Sequence, residues 1–453
     1  MRPTAPPSSK RPDGRAIAVW GHFAGGNLGD ELVVATILEA IRRRRPTQSV
    51  VAVSSGPPDT ERRHGIRTLP LSPGMRPTGT ASPSATAGGA AARGLVGLAR
   101  RVPGARRARA SARALVHVPL ELPFAARSYR RLKEVDTVVV AGSGQLLDKW
   151  QGPWWHPYTT FRWAVLARLA GTRMVYPSVG AGPIDHPLSR LMFRKSLEWA
   201  SFVSVRDEHS AEVLRAIGVT RELPVCPDMG WAHDFVPGPP PPQPGDATVV
   251  GVNPMSHEDP RYWPRGDARR YQAYLTKLAD FVIYLLEAGH RVLLFSSQPR
   301  ADGRVVSDLL PLLERHGLAD SPFLESAIEE IADVDDLVRT IARCTYVVAG
   351  RFHSVLLPVA FGIPTIGLAY HAKTCEVLAQ VERSKRCLDI DRFEVTDLVG
   401  AFERLKDEDG GDERQALREA SVRLRAAVEA QFDGLFGRHE PVSPGSRPDG
   451  AVP

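Results

Sequence analysis

The sequence predicts an α/β protein built of two Rossmann-like domains that face a cleft, with helices closing the C-terminal end. Three observations predict it. Short β-branched runs alternate with longer helical stretches, the pattern of parallel sheets covered by helices. That rhythm runs twice, on either side of a proline-rich stretch, VPGPPPPQPGD at residues 236–246, whose composition makes it stiff and extended. Several strands end in glycine-rich or charged turns, and open α/β sheets bind their ligands beyond the C-terminal ends of the strands.

The first round opens with a strand over 17–20 and a helix over 28–45, parted by the glycine-rich turn GHFAGGNLGDE at 21–31. A strand over 50–54 follows. Residues 56–90, rich in Pro, Gly, Ser, Thr and Ala, carry neither periodicity and read as disordered or loosely ordered. An arginine-rich insertion with short amphipathic helices continues to residue 133. A buried strand over 137–140 ends in AGSGQLLD at 141–148. Helices over 158–170, 187–199 and 208–217 then alternate with strands over 173–176 and 202–205. The second round places strands over 248–253, 292–296, 346–349 and 365–368, and helices over 268–288 and 334–344. A nearly all-apolar helix over 355–361 is closed by Gly362 and Pro364. Helices over 395–406 and 413–432 follow and can pack across both halves. The implied organisation is a tail over 1–14, an N-terminal domain over 15–235 with an insertion at 56–133, the linker 236–246, a C-terminal domain over 247–392, helices over 393–436 and a disordered tail over 437–453.

Composition narrows the function. With 43% hydrophobic and 24% charged residues among 453, the chain is ordinary for a soluble globular protein. It has no apolar run of spanning length. The polar, proline-rich N-terminus lacks the apolar core of a signal peptide, so a cytoplasmic location is expected. Cys226, Cys344, Cys375 and Cys387 are scattered without a C-x-x-C pair and read as reduced, mostly buried thiols, with neither a disulfide scaffold nor a zinc cluster. The 13 histidines show no metal-ligand spacing, and no metal is expected. The formal charge of +7 is uneven. Residues 91–133 hold ten Arg and one Lys against Glu121 alone, about +10, which leaves about −3 for the rest. Basicity therefore belongs to the insertion and not to the fold, which argues against general nucleic-acid binding and suits contact with anionic lipid at the inner face of a membrane.

Candidate site residues lie where predicted strands pass into helices. In TYVVAGRFHSVLLPVAFGIP, Arg351 and His353 follow the end of a buried strand at a helix N-terminus. The helix dipole disfavours a cation there unless an anion is shared. That anion is either a bound phosphate or carboxylate, or a buried Asp or Glu of the same chain. Arg206 of SVRDEHS raises the same question, with Asp207 beside it as a helix N-cap. In the first turn, Asn27, Gly29 and Asp30 sit at a helix start. Asp30 either stabilises that end or serves as a base toward a hydroxyl. Ser143 and Gly144, within AGSGQLLD, bind a ligand or simply form the turn. Tyr370, His371 and Lys373 of YHAK open another helix at the same edge or lie on the surface. The glycine turn is not the G-x-G-x-x-G fingerprint, so a dinucleotide is not indicated.

Taken in order, these motifs resemble those of the polysaccharide pyruvyl transferase family. They are GNLGDE at 26–31, the glycine turn around Ser143 and Gly144, SVRD at 204–207, RFH at 351–353, and GIPTIGLAY at 362–370 followed by Lys373. The resemblance covers about residues 15–390 apart from the insertion. Ser143 departs from it, since many members carry a third glycine there, and so does the long basic insertion. The resemblance implies a GT-B-like fold. It also implies transfer of a pyruvyl group from phosphoenolpyruvate to a sugar diol of a glycan or lipid-linked glycoconjugate, giving a cyclic ketal and phosphate with no further cofactor. Arg206, Arg351 and His353 match positions associated there with phosphoenolpyruvate. His353, whose side-chain type titrates near neutrality, is the expected acid or phosphate contact, Asp30 the expected base, and Lys373 a further anion contact. A nucleotide-sugar glycosyltransferase on the same fold, and a non-catalytic glycan- or membrane-binding protein, are the competing readings. The sequence leaves homo-oligomerisation open.

Overall fold

The computed structural model describes residues 14–73, 121–142, 144–148, 152–235, 248–263, 265–409 and 412–437. Two six-stranded parallel sheets organise it, with strand orders β3-β2-β1-β4-β5-β6 and β12-β11-β10-β7-β8-β9. The first holds β1 (Ala16–Trp20), β2 (Val50–Ser54), β3 (Thr68–Pro70), β4 (Val135–Val140), β5 (Arg173–Val179) and β6 (Phe202–Val205). The second holds β7 (Val249–Asn253), β8 (Arg291–Leu294), β9 (Leu324–Ser326), β10 (Tyr346–Ala349), β11 (Thr365–Ala369) and β12 (Cys387–Asp389). The two orders are the same order read from opposite edges. Each reverses its winding between two central strands, β1 and β4 in one half and β7 and β10 in the other, which leaves a crevice at those C-terminal ends. The central strands are β-branched and buried on both faces, as parallel sheets require; β10, YVVA, is buried at every position.

Several expectations need correction. Residues 57–64 form a helix and 68–70 a strand, although the stretch reads as loosely ordered. Pro57 and Pro58 occupy the first helical turn, where the missing N–H costs nothing, and Gly65 closes the helix at φ +65°. Pro70 is tolerated because β3 is an edge strand. A helix over 121–132 closes the basic insertion, and Phe124 and Leu132 are buried in the first half's core. The rest of the insertion (74–120), the linker, most of both tails and Ser143 lie outside the described residues. The helix Pro299–Glu314 escaped the sequence reading because Pro299, Gly303 and Pro311 interrupt its pattern, and β9 and β12 because three residues carry no period. Cys375 and Cys387 form a disulfide, Cα–Cα 5.4 Å, against the expectation of four thiols. The helix Ala372–Gln380 lies beside β12, and no sequence spacing announces that meeting. Cys226 and Cys344 are free and buried.

The helix Asp412–Phe436 lies across both halves. On the second, Ser421 Oγ reaches the Val359 carbonyl at 3.3 Å. On the first, Arg44 meets Glu429 at 2.7 Å and Gln431 Nε2 meets Ser178 Oγ at 3.0 Å. Val428, Phe432 and Phe436 join a single apolar cluster with Ile37 and Ile41 of the first half and Val355 and Leu356 of the second.

At the mouth of the first sheet, His22, following β1, stacks on His156 with ring centroids 3.8 Å apart. Burial, then the neighbouring His156, holds the His22 pKa well below the usual histidine range. Burial lowers that of His156 to about 4, against the pull of the Gln145 carbonyl. Both values lie below that of an unfolded histidine, so the unfolded chain takes up more protons as pH falls from about 6.5 toward 4. The stabilisation is complete above that window and is lost through it. Unfolding free energy from urea titrations is expected to drop between pH 7 and 4.5 by on the order of 2–3 kcal/mol from His156 alone, with His22 adding to the loss. His156→Gln should flatten the slope; an unchanged slope would remove the pair from the account.

Candidate active site

The second crevice is organised by Arg351. Its backbone N–H donates to Asn253 Oδ1 at the end of β7, 3.1 Å away, which ties the β7 and β10 ends together. Its guanidinium is buried. Nε reaches Asp302 Oδ2 at 3.0 Å, and Nη2 reaches Asp302 Oδ1 at 2.5 Å and Ser256 Oγ at 3.1 Å. Asp302, fully buried at the start of the helix Pro299–Glu314, also accepts from Ser256 N–H at 3.0 Å and from the Ser296 hydroxyl. The alternative anion, a buried carboxylate of the same chain, is therefore present, and a clamp using the whole Arg351 fork is corrected to one using its free edge. Nη1 has no hydrogen-bond partner among the described residues and is not sealed from solvent. The Tyr262 ring centroid lies 5.7 Å from Cζ.

Arg206 follows β6 and is bound in the same way. Nε contacts Asp207 Oδ2 at 3.2 Å and Nη1 contacts Asp228 Oδ2 at 3.4 Å, while the guanidinium lies 4.3 Å over the Phe352 ring. Nη2 is left without a hydrogen-bond partner among the described residues. Asp207 caps the helix Glu208–Ala216 through Ser210 N–H at 2.6 Å. Gln380 Nε2 donates to the Arg206 carbonyl at 3.1 Å, a bond from the second half to the first.

Asp228 sits between Arg206 and His353. Its Oδ1 lies 3.6 Å from His353 Nε2, too long for a direct hydrogen bond, and that nitrogen has no bonded partner. Burial pushes the Asp228 carboxyl up, but His353, Arg206 and the Gly230 N–H outweigh it and hold its pKa below the ordinary range. An ionised carboxylate thus faces the imidazole from the first half.

On its other side His353 touches the glycine turn. A Cβ on Gly29 would stand 1.9 Å from His353 Nδ1, so only glycine lets the two halves meet there. Leu28 N–H donates to the Ser297 carbonyl at 2.8 Å, which docks the turn on the second half. Gly29→Ala is expected to destabilise the protein by about 1–3 kcal/mol through overpacking, read as a lower denaturant midpoint; an unchanged midpoint would mean the halves separate freely. Asn27 is the N-cap of the helix Leu28–Arg44, accepting from Gly29 N–H at 3.1 Å. Its Nδ2 donates to Asp30 Oδ2 at 2.9 Å, so Asp30 serves the helix end and stands partly exposed at the cleft.

Tyr370 completes the site. Burial raises its pKa, yet Lys373, Arg351 and Arg206 more than reverse this and bring it below the usual tyrosine value. The charges of three cations from separate strand ends thus all act on one phenol. Lys373 Nζ is 5.3 Å from the Tyr370 ring and has no carboxylate partner among the described residues. His371 caps the helix Ala372–Gln380 through Lys373 N–H at 3.4 Å. A Cβ on Gly144 would meet only open space, so no close approach within the protein requires glycine there. Asp228 and Asp302 escaped the sequence reading. The first is a lone acid before a short turn, and the second lies in the helix that was missed.

Two Rossmann-like halves, each with a winding-reversal crevice and joined across a glycine turn, define a GT-B-like α/β fold. Solved structures agree on the fold. The Anabaena protein Alr3699/HepE, in complex with UDP, is 14% identical with a TM-score of 0.53, over 93% of this chain and 98% of that one. The UDP-GlcNAc 2-epimerase of Neisseria meningitidis, bound to UDP-GlcNAc, is 10% identical with a TM-score of 0.53, over 93% and 99%. No curated protein matches the sequence. The family model for polysaccharide pyruvyl transferases matches residues 27–372, and the chain belongs to that family.

Proposed function

We propose that the protein transfers the pyruvyl group of phosphoenolpyruvate to two hydroxyls of a sugar, forming a cyclic ketal and releasing phosphate. The observation that carries this reading is the set of cations with a spare edge: Arg351 and Lys373, the latter 5.3 Å from the Tyr370 ring, and Arg206, which lies 4.3 Å over Phe352, the ring packed against His353. Phosphoenolpyruvate holds a carboxylate and a phosphate on one small frame, and the free edges of two guanidiniums plus an ammonium suit both. A proton from His353 to the methylene carbon makes it a methyl group and leaves an oxocarbenium-like centre at C2. One sugar hydroxyl adds there and gives up its proton to Asp30, the carboxylate of the glycine turn. Phosphate leaves, and the second hydroxyl closes the ketal with loss of its own proton. Asp228 holds His353 in place.

The test is phosphate release from phosphoenolpyruvate across a panel of sugar diols, run beside UDP-sugars as donors. Release that depends on the diol supports the reading. Turnover with UDP-sugars alone would replace it by a glycosyltransferase, and ligand binding without turnover by a binding protein. The basic insertion supports contact with anionic lipid, where a lipid-linked acceptor would lie. Because Phe124 and Leu132 are core residues, a deletion that tests this stops at residue 120. It is expected to weaken binding to anionic vesicles and spare soluble acceptors.

A further inference from the structure

The chemistry above makes no use of His22 and His156, and both stand at the crevice of the first sheet. His22 lies in the connection from β1 that also carries Gly29. Gln145 follows β4, and His156 opens the helix His156–Ala170. Gln145 sets both tautomers. Its Oε1 receives the His22 backbone N–H at 3.3 Å, which identifies that atom as the acceptor. His22 Nδ1, 2.9 Å from the same atom, must therefore donate. His156 Nδ1 lies 3.2 Å from the Gln145 carbonyl, which can only accept, so it donates too. In a neutral imidazole the other nitrogen then carries a bare lone pair. Neither Nε2 has a hydrogen-bond partner among the described residues, and neither is sealed from solvent. The rings stack with 25° between their planes, and Trp155 lies against His22 at 5.9 Å. The outcome is two adjacent acceptors, both kept neutral at pH 7 by their surroundings.

We propose that His22 and His156 form the subsite for the acceptor's diol, their two Nε2 atoms accepting hydrogen bonds from two neighbouring hydroxyls of one pyranose while Trp155 covers an apolar face of the ring. The inference rests on the ketal reading, in which both reacting groups are hydroxyls of one sugar. A hydroxyl needs an acceptor to hold it, and two acceptors in adjacent planes hold two hydroxyls in fixed relation. Uncharged imidazoles do this without drawing phosphoenolpyruvate away from Arg206, Arg351 and Lys373. The subsite and His353 flank the same glycine turn, which places the diol in the first half and the anion at the junction with the second.

Saturation-transfer NMR tests this with methyl hexopyranosides that present a free diol, in the presence of phosphoenolpyruvate, alongside direct titration of phosphoenolpyruvate. The wild type is expected to bind at least one glycoside. His22→Ala and His156→Ala should each weaken that binding about tenfold, roughly the value of one hydrogen bond lost from a desolvated site, and leave phosphoenolpyruvate affinity within about twofold. His22→Gln returns an acceptor atom and should recover part of the affinity, and it also serves if an alanine variant fails to fold. Glycoside binding equal to wild type in the folded variants, or no glycoside binding by the wild type, overturns the subsite. Failure of phosphoenolpyruvate to bind, with glycoside binding intact and sensitive to the histidines, would overturn the donor reading and leave the diol subsite standing.

Discussion

His353→Ala is expected to lower kcat for phosphoenolpyruvate-dependent ketal formation by about 10²–10⁴-fold, the usual contribution of a positioned proton donor. The imidazole is fixed from two sides: the Gly29 backbone stands against Nδ1, and the Asp228 carboxylate lies 3.6 Å from Nε2. His371, the other imidazole of the sequence motifs at this edge, is engaged as a helix cap. His353→Gln separates the roles. Gln still donates a hydrogen bond but cannot pass a proton, so most activity returns only if His353 merely holds phosphate. Equal loss in both variants supports proton transfer. Asp228→Asn should lower kcat with a smaller change in KM for phosphoenolpyruvate, as expected of a residue that acts through His353. Full activity in His353→Ala would remove the residue from the chemistry.

Asp302→Ala is expected to cost about 3–5 kcal/mol of folding stability, because it strands a buried guanidinium without its counter-charge. Asp302 is fully buried and takes both prongs of Arg351. The double variant Asp302→Ala, Arg351→Met should recover much of the loss, since removing both charges is far less costly than removing one. Urea unfolding of the three variants measures this. A single-variant loss below about 1 kcal/mol would mean that the pair is not the brace described here.

Much of this fold is legible in the sequence because parallel sheets write a strong signal. β-branched runs such as those at 50–54, 202–205 and 346–349 have one plausible state, and their observed bounds match the reading. The failures share a cause. The helices at 57–64 and 299–314 carry prolines that look like breaks; Pro57, Pro58 and Pro299 sit harmlessly in a first turn, while Pro311 is tolerated inside its helix. Three-residue strands owe their existence to neighbours and not to their own residues. Within the site, Arg206, Arg351 and Lys373 are legible because a cation at a strand end is conspicuous. Their internal partners are not, since Asp228 and Asp302 approach from 22 and 49 residues away. Local pattern can pose the choice between a ligand and an internal carboxylate, but only tertiary contact answers it, and here both guanidiniums have an internal partner and a spare edge. The Cys375–Cys387 bond was illegible for the same reason.

The helix Asp412–Phe436 has a consequence for how the molecule comes apart. Two Rossmann-like halves of this size, joined by a single connection, ordinarily melt as separate units, each on its own core. Here Val428, Phe432 and Phe436 belong to an apolar cluster shared with Ile37 of one half and Leu356 of the other. Neither half can lose its packing without exposing the other's. Denaturation should therefore follow one sigmoid, with fluorescence and circular dichroism coincident. Cutting the chain after residue 409 should split that curve into two steps of lower midpoint.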